Sequence, residues 1–199
     1  MHTAFQAQCI RLLYPAVLDT EGAVLISDVD MVPLSRAYFH EPVERIDARH
    51  FLAYRDVLLP SGEIPICYNA ALPAVWSEIF DVRSREDVRT RLSEWGTGLH
   101  YDGKHGGSGW HADQVILYRT LIARGRGHRD VWILRDAYTG LERLQKVVLQ
   151  RRPHLVDAER DRIRRGEYAD YHVLVPYDDH RALNDEVVAL ATAGREFRS

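Results

Sequence analysis

One stretch of this chain, residues 23–34 with the sequence AVLISDVDMVPL, limits its fold more than any other. The first five residues carry no charge and follow Gly22, which is the pattern of a short buried strand that begins after a turn. Two carboxylates, Asp28 and Asp30, come directly after this strand. We therefore expect a sheet that presents acidic groups where one of its strands ends.

The spacing of the two acids indicates a ligand site. In open α/β sheets, ligands bind at the carboxyl ends of the strands. Residues i and i+2 of an extended chain point to the same side, so Asp28 and Asp30 would face one ligand while Val29 faces away. Two hard oxygen donors on one side suit a divalent cation. The alternative is that the acids merely open a loop, since Pro33 marks the end of the strand.

The composition is that of one soluble globular domain. Of the 199 residues, 46% are apolar and 28% are charged, so the chain can bury a core of ordinary size. A net charge of −3 argues against nucleic acid as a partner. No apolar run could span a bilayer and the first residues lack a signal peptide, so we expect a cytoplasmic protein. Cys9 and Cys67 form no motif and are expected in the core, which fits a reducing compartment.

The spacing of apolar residues predicts alternating helices and strands. A helix is expected over residues 3–18, with Pro15 shortening its last turn. Strands are expected over residues 49–58, at the start of 66–80, over 131–134 and over 171–175. Further helices are expected at the end of 66–80, over 85–95, from 111 onward, over 141–149 and over 184–193. Asp113 would then lie in the first turn of its helix. The glycine-rich residues 103–109 are either a mobile loop at a site or a plain connector.

Four segments of the chain resemble GT-A type glycosyltransferases. Residues 25–35, LISDVDMVPLS, followed by Tyr38 and Phe39, are similar to the Asp-x-Asp segment of that family. The second segment, SGWHADQVILY (108–118), is similar to the tryptophan and Asp-Gln segment that opens a helix beneath the donor sugar. The third, DYHVLVPYDDH (170–180), is similar to the segment that supplies a late histidine. The fourth, CYNAALPAVW (67–76), is similar to the segment on the acceptor and donor-sugar side.

The resemblance implies transfer of a sugar from a nucleotide-sugar, with uridine as the expected nucleoside, to a hydroxyl acceptor such as a glycan. Asp28 and Asp30 would hold Mn²⁺ or Mg²⁺ on the diphosphate, and His172, with His180 as its competitor, would be a further ligand. Asp113 would contact the donor sugar or act as the general base for the acceptor hydroxyl. Residues expected to bind the donor or the acceptor are Arg11, Asn69, Trp110 and Gln114.

The implied fold is a GT-A, Rossmann-like mixed sheet flanked by helices. It would form a single domain over residues 1–199, in which residues 150–199 supply a C-terminal strand and helix. The family places several β/α units before the Asp-x-Asp strand, and the first of them binds the nucleotide base. Only one helix precedes that strand here, so we expect an N-terminally shortened version that starts inside the nucleotide-binding half.

Two other functions are compatible with these residues. DVDMV after an apolar strand also resembles the signature of haloacid-dehalogenase-like phosphatases, in which Asp28 would be the nucleophile and Asp30 a general acid. Lys146 and the acidic pair Asp178 and Asp179 would then take the family's supporting positions. The remaining possibility is a non-catalytic glycosyltransferase fragment that keeps the acids and serves as an interaction module.

Overall fold

Short strands and helices alternate along the chain, as the spacing of its apolar residues predicts. The structure is a computed structural model that describes residues 2–123 and 130–196. The chain forms two units, Met1–Ser27 with Ile46–Tyr138, and Asp28–Arg45 with Thr139–Ser199. Each unit has its own sheet of parallel and antiparallel strands, so the expected α/β class with a mixed sheet is confirmed.

The strands and helices are numbered in chain order. The strands are β1 Val24–Ile26, β2 Met31–Pro33, β3 Phe51–Ala53, β4 Asn69–Ala71, β5 Val131–Ile133, β6 Glu142–Leu144 and β7 Tyr168–His172. The helices are α1 Thr3–Leu13, α2 Arg36–Arg45, α3 Pro73–Phe80, α4 Arg85–Gly96, α5 Ala112–Tyr118, α6 Asp136–Thr139, α7 Lys146–Arg151, α8 Asp157–Arg164 and α9 Arg181–Glu196. No helix within the described ranges has both the length and the apolarity that crossing a membrane requires.

The first unit is built on a four-stranded sheet in the order β1-β4-β3-β5. Strand β4 pairs antiparallel with β1 and β3, and β5 joins β3 in parallel. In this register Asn69 lies opposite Ile26 on one side and Ala53 on the other. Strand β3 has three residues, as do its partners β4 and β5. The rest of the strand expected over residues 49–58 therefore has no pairing partner and forms bends and turns.

The core of the first unit joins α1, α3, α4 and α5 to this sheet. On α1 the buried residues Phe5, Cys9 and Leu12 are spaced for a single helical face. Trp76 of α3 is fully buried and packs edge-on against Phe51, with 4.8 Å between ring centroids. The helices predicted over residues 85–95 and from residue 111 onward are confirmed as α4 and α5.

The first helix ends as its proline predicts. After Leu13, α1 gives way to the 3₁₀ turn Tyr14–Val17, which has Pro15 near its start. Proline lacks the N–H group that would continue the α-helical hydrogen bonds. Of the two cysteines expected in the core, Cys9 is buried and Cys67 is only half-buried.

The second unit contains a three-stranded sheet in the order β2-β7-β6. Strand β2 runs antiparallel to β7, with Met31 opposite His172 and Pro33 opposite Asp170, and β6 runs parallel to β7. Pro33 is tolerated because β2 is an edge strand, where one side of the backbone has no ladder partner. A separate core contains Tyr171 and residues from the helical segments α8 and α9, including Ile163, Leu183 and Val187.

Two predicted elements of the second unit are displaced. The late strand expected over residues 171–175 is Tyr168–His172, because the ladders with β2 and β6 set its extent. The helix expected over residues 141–149 is replaced by strand β6 followed by helix α7. Pairing with β7 draws β6 into the sheet, a long-range effect that local apolar spacing does not reveal.

Candidate functional site

A tight turn between β1 and β2 carries the two acids. The backbone N–H of Met31 donates to the carbonyl oxygen of Asp28 at 3.2 Å, so Val29 and Asp30 are the central residues of the turn. Val29 is fully exposed at its tip. The extended geometry expected for the acids is therefore wrong, because the chain turns as it leaves β1 and enters β2, which belongs to a different sheet.

Asp30 and His172 are in direct contact. The Oδ2 atom of Asp30 lies 2.8 Å from Nε2 of His172, although the two residues are 142 positions apart in the chain. The antiparallel pairing of β2 with β7 brings them together, and the backbone N–H of Val173 donates to the carbonyl oxygen of Asp30 at 2.8 Å. Both side chains are about one-third exposed, at 34% for Asp30 and 38% for His172. They are thus held by backbone ladders and remain open to a ligand.

Lys146 adds a positive charge to this pair. It is the first residue of α7, and its Nζ atom lies 3.1 Å from Nε2 of His172. The same ring nitrogen therefore faces a carboxylate oxygen and an ammonium group. We call these three residues, Asp30, Lys146 and His172, the acid–histidine cluster.

The donor set of the acid–histidine cluster fits part of a cation site. Ligands about 2.1 Å from an octahedral cation lie about 3 Å from one another at adjacent positions, and the 2.8 Å separation of Asp30 Oδ2 and His172 Nε2 is close to this value. In the part of the chain that the structure describes, no group of three or more His, Cys, Asp or Glu side chains is arranged to hold a metal. Asp28 does not complete such a group, so oxygens of water or of a bound phosphate would have to supply the other ligands.

A buried ion pair supports the strand that carries His172. Nε of Arg143 donates to Oδ1 of Asp170 at 2.6 Å, and Asp170 is fully buried. Nη2 of Arg143 also lies 3.4 Å from Sδ of Met31, the residue opposite His172. One side chain of β6 thus contacts both β7 and β2. The sequence analysis did not identify this pair.

Asn184 holds the chain where it leaves β7. Its Oδ1 atom accepts hydrogen bonds from the hydroxyl of Tyr171 at 2.6 Å and from the backbone N–H of Leu174 at 3.2 Å, while its Nδ2 donates to the carbonyl of Leu174 at 3.1 Å. Burial raises the pKa of Tyr171, so its hydroxyl stays protonated as a donor. These bonds fix the residues on both sides of His172.

In the first unit, Asp113 forms an ion pair with Arg11. Nη2 of Arg11 donates to Oδ2 of Asp113 at 2.6 Å, and the carboxylate is only 2% exposed. Its Oδ1 atom accepts the backbone N–H of Gln114 at 2.9 Å. Asp113 lies in the first turn of α5, as predicted. Arg11 was expected to bind the donor or the acceptor, and its pairing with Asp113 was not predicted.

The glycine-rich loop before α5 is closed by a carboxylate. Asp102 accepts the backbone N–H groups of Lys104 at 2.9 Å and of Ser108 at 3.2 Å. The bond from Lys104 is the main cause that lowers the pKa of Asp102. Trp110 follows this loop and lies against His105 at 4.9 Å between ring centroids. The loop therefore has a defined closure that its glycine content did not predict.

Asn69 and Gln114 mainly contact their own neighbourhood. Nδ2 of Asn69 donates to the carbonyls of Pro65 at 2.8 Å and Ile66 at 2.9 Å, and the side chain is fully buried. Among the described residues, Oδ1 of Asn69 has no hydrogen-bond partner. The side-chain amide of Gln114 lies 2.8 Å from Nδ1 of His111. These contacts organise the loops around the side chains.

The predicted site residues are divided between the two units. Asp28, Asp30, His172 and His180 belong to the second unit, and Arg11, Asn69, Trp110, Asp113 and Gln114 belong to the first. The structure brings Asp30 together with His172, and Arg11 together with Asp113. Comparison with models of known protein families, with curated proteins and with solved structures finds no match for this chain.

Proposed function

We propose that this chain is a metal-dependent glycosyltransferase that binds the diphosphate of a nucleotide-sugar and transfers the sugar to a hydroxyl acceptor. The observation that carries the proposal is the 2.8 Å contact between Asp30 and His172. Both residues are assigned as metal ligands by the resemblance to the GT-A family, from segments at opposite ends of the chain. The mixed sheets support a GT-A type architecture.

Two residues of the acid–histidine cluster have a direct role in this proposal. Asp30 and His172 would hold Mn²⁺ or Mg²⁺, with Asp28 acting directly or through water. A bound cation would supply charge neutralisation for the departing diphosphate. The ladder between β2 and β7 orients Asp30 and His172 before any ligand binds, which lowers the cost of binding.

For Asp113, the ion pair favours an orienting role. A guanidinium 2.6 Å away stabilises the charged carboxylate and fixes its direction. The side chain is only 2% exposed and its two oxygens accept bonds from Arg11 and from the backbone of Gln114, so the carboxylate orients these groups. It is less suited to take a proton from an acceptor, because protonation would weaken the bond to Arg11.

Calorimetric titration with uridine diphosphate, with and without Mn²⁺, tests the proposal. We expect metal-dependent binding that Asp30→Asn weakens at least about tenfold. Glu41→Gln is the matched control, because Glu41 is an exposed carboxylate of the same unit that pairs with Arg45 on the surface of α2. Equal binding by Asp30→Asn and the control would overturn the assignment. A panel of nucleotide-sugars would then identify the donor.

Lys146 also favours the phosphatase as a second candidate, since that chemistry needs a lysine near its aspartates. The acidic pair expected to assist is less favourable, because Asp178 is exposed in the turn before α9 and pairs with Arg181. Hydrolysis of p-nitrophenyl phosphate that is lost in Asp28→Asn would support the phosphatase. Metal-dependent nucleotide binding without hydrolysis would support the transferase, and binding without any transfer would indicate the non-catalytic module.

A further inference from the structure

We infer that two copies of this chain associate by pairing their β5 strands antiparallel, so that the sheet of the first unit continues from one copy into the other. Within residues 2–123 and 130–196, the only ladder partner of β5 is β3, so the other edge of β5 is unpaired. An unpaired edge presents backbone donors and acceptors to another chain. β5 is Val131, Trp132 and Ile133, and it contains neither a charge nor a proline of the kind that protects an edge strand from association.

The backbone of β5 directs two residues towards the open edge. At its two ends, the carbonyl of Asp130 and the N–H of Leu134 are hydrogen-bonded to β3, at 2.8 and 2.9 Å. Backbone groups of successive strand residues alternate in direction, so Val131 and Ile133 direct theirs away from β3. If Val131 of each copy lies opposite Ile133 of the other, both pairs are in the hydrogen-bonded position and exchange their N–H to carbonyl bonds.

The side chains of β5 are complementary to a second copy of themselves. Val131 and Ile133 pack against the core of the first unit, whereas Trp132 between them is 44% exposed. In this alignment a two-fold axis places Trp132 opposite Trp132 of the second copy, in the non-hydrogen-bonded position where side chains are closest. Aromatic pairs directly opposite each other stabilise antiparallel strands.

Two cavities of unequal size lie beside β5. One of about 610 Å³ is lined by Val131, by α3 and by residues 120–121, and one of about 210 Å³ is lined by Val131, Ile133 and Ile122. In the proposed pairing, Ile133 of the second copy lies opposite Val131 and next to the larger cavity. Val131 of the second copy lies opposite Ile133 and next to the smaller one. The larger aliphatic side chain thus meets the larger space, and both would lose contact with water.

The charges that flank β5 favour the antiparallel direction. Asp130 precedes the strand and Arg135 follows it by two residues, and both are exposed. In an antiparallel pair, the Asp130 end of each copy lies next to the Arg135 end of the other, so opposite charges meet twice. A parallel pair in the same alignment would bring like charges together, which is unfavourable.

Light scattering over a dilution series tests the inference. We expect a species of twice 22.9 kDa that dissociates on dilution. Trp132→Glu and Trp132→Lys should each weaken the dimer at least about tenfold, because like charges would lie directly opposite each other. Tyr14→Glu is the matched control, because Tyr14 is an aromatic residue of the first unit with a similar exposure, 38%, in the turn after α1.

Two outcomes of this series would overturn the inference. One is a wild type that is monomeric at every concentration. The other is a dimer that Trp132→Glu weakens no more than Tyr14→Glu does, since its interface would then lie elsewhere. Circular dichroism of each variant shows that the fold is retained, as expected for substitutions of exposed side chains.

Mixing the two charged variants tests the alignment of the strands. Trp132→Glu and Trp132→Lys, each monomeric alone, should form a dimer together, because position 132 of one copy faces position 132 of the other and the charges become opposite. A mixture that stays monomeric would contradict this alignment.

Hydrogen exchange gives a readout that needs no substitution. The amides of Val131 and Ile133 should be protected in the dimer and should exchange rapidly after dilution, whereas the amide of Leu134, bonded to Ala53, stays protected in both states. Protection of Val131 and Ile133 in a monomer would show that another part of the chain covers this edge. That result would also overturn the inference.

Discussion

Arg143 and Asp170 form the ion pair that joins the strands of the second unit. Asp170 is fully buried, and Nε of Arg143 donates to it at 2.6 Å. Asp170 precedes His172 by two residues on β7, so the ion pair and the candidate ligand point to the same face of the sheet. The strand that carries His172 is therefore held by a charge pair centred two residues away.

Arg143→Met is expected to destabilise the protein by about 3 kcal/mol or more, because it leaves the buried carboxylate of Asp170 without this charge partner. Urea unfolding measures the loss. Arg45→Met, at an exposed pair on α2, should change the free energy of unfolding by no more than about 1 kcal/mol. Adding Asp170→Asn to Arg143→Met should recover part of the stability. A fully additive double variant would show that the two charges are not coupled.

The spacing of apolar residues predicted those helices and strands whose extent is set by residues close by in the sequence. The buried face of α1 is visible in the spacing of Phe5, Cys9 and Leu12, and the strand and helix of residues 66–80 appear as β4 and α3. The late strand was placed three residues too far along, because its position is set by its ladder with β2. The residues of this strand do not themselves indicate how it aligns with β2.

In the candidate site, too, some residues could be predicted from the sequence and their contacts could not. Asp28, Asp30 and His172 could be selected because their segments resemble a family, and the structure places Asp30 in contact with His172. The residues that contact these charged side chains in the folded protein could not be predicted from the sequence. Lys146 meets His172 only because β6, which precedes α7, lies beside β7. Such contacts follow from strand order, which the separate motifs do not contain.

The loop closed by Asp102 should respond to acid. Hydrogen bonding from the backbone of Lys104 lowers the pKa of Asp102 in the folded protein. A lowered folded pKa means that the carboxylate stabilises the loop above its ordinary pKa, and that this contribution is lost as the pH falls through the folded value. We expect the amide proton signals of Lys104 and Ser108 to shift together below about pH 4.

The Asp102→Asn variant provides the control for this titration, because an amide does not ionise in this range. Its loop signals should be insensitive to acid below about pH 4. A shift of the same signals that persists in Asp102→Asn would instead originate from another group. That result would show that Asp102 does not control the loop.

The two cysteines should differ in reactivity. Burial raises the pKa of Cys9 to about 12, with a further contribution from the charge of Asp113. At about pH 8 Cys9 is therefore a neutral thiol, and the thiol form is a poor nucleophile. Cys67 is half-buried, so a thiol reagent should label Cys67 in the folded protein and both cysteines in denaturant. Rapid labelling of folded Cys67→Ser would contradict the assignment.

The Arg11–Asp113 pair links the stability of the first unit to its candidate site residue. Asp113 is almost completely buried beside the guanidinium of Arg11, so Arg11→Met should lower the free energy of unfolding by about 3 kcal/mol. Asp113→Asn should cost less, since it leaves no buried charge and Arg11 is partly exposed. Some loss is still expected, because Arg11 and the backbone N–H of Gln114 donate to different carboxylate oxygens and the single amide oxygen can accept only one of these bonds. Urea unfolding of both variants and of their combination measures the coupling. If Arg11→Met is as stable as the wild type, the charge of Asp113 is balanced by other groups, and its carboxylate would be free to act as a base.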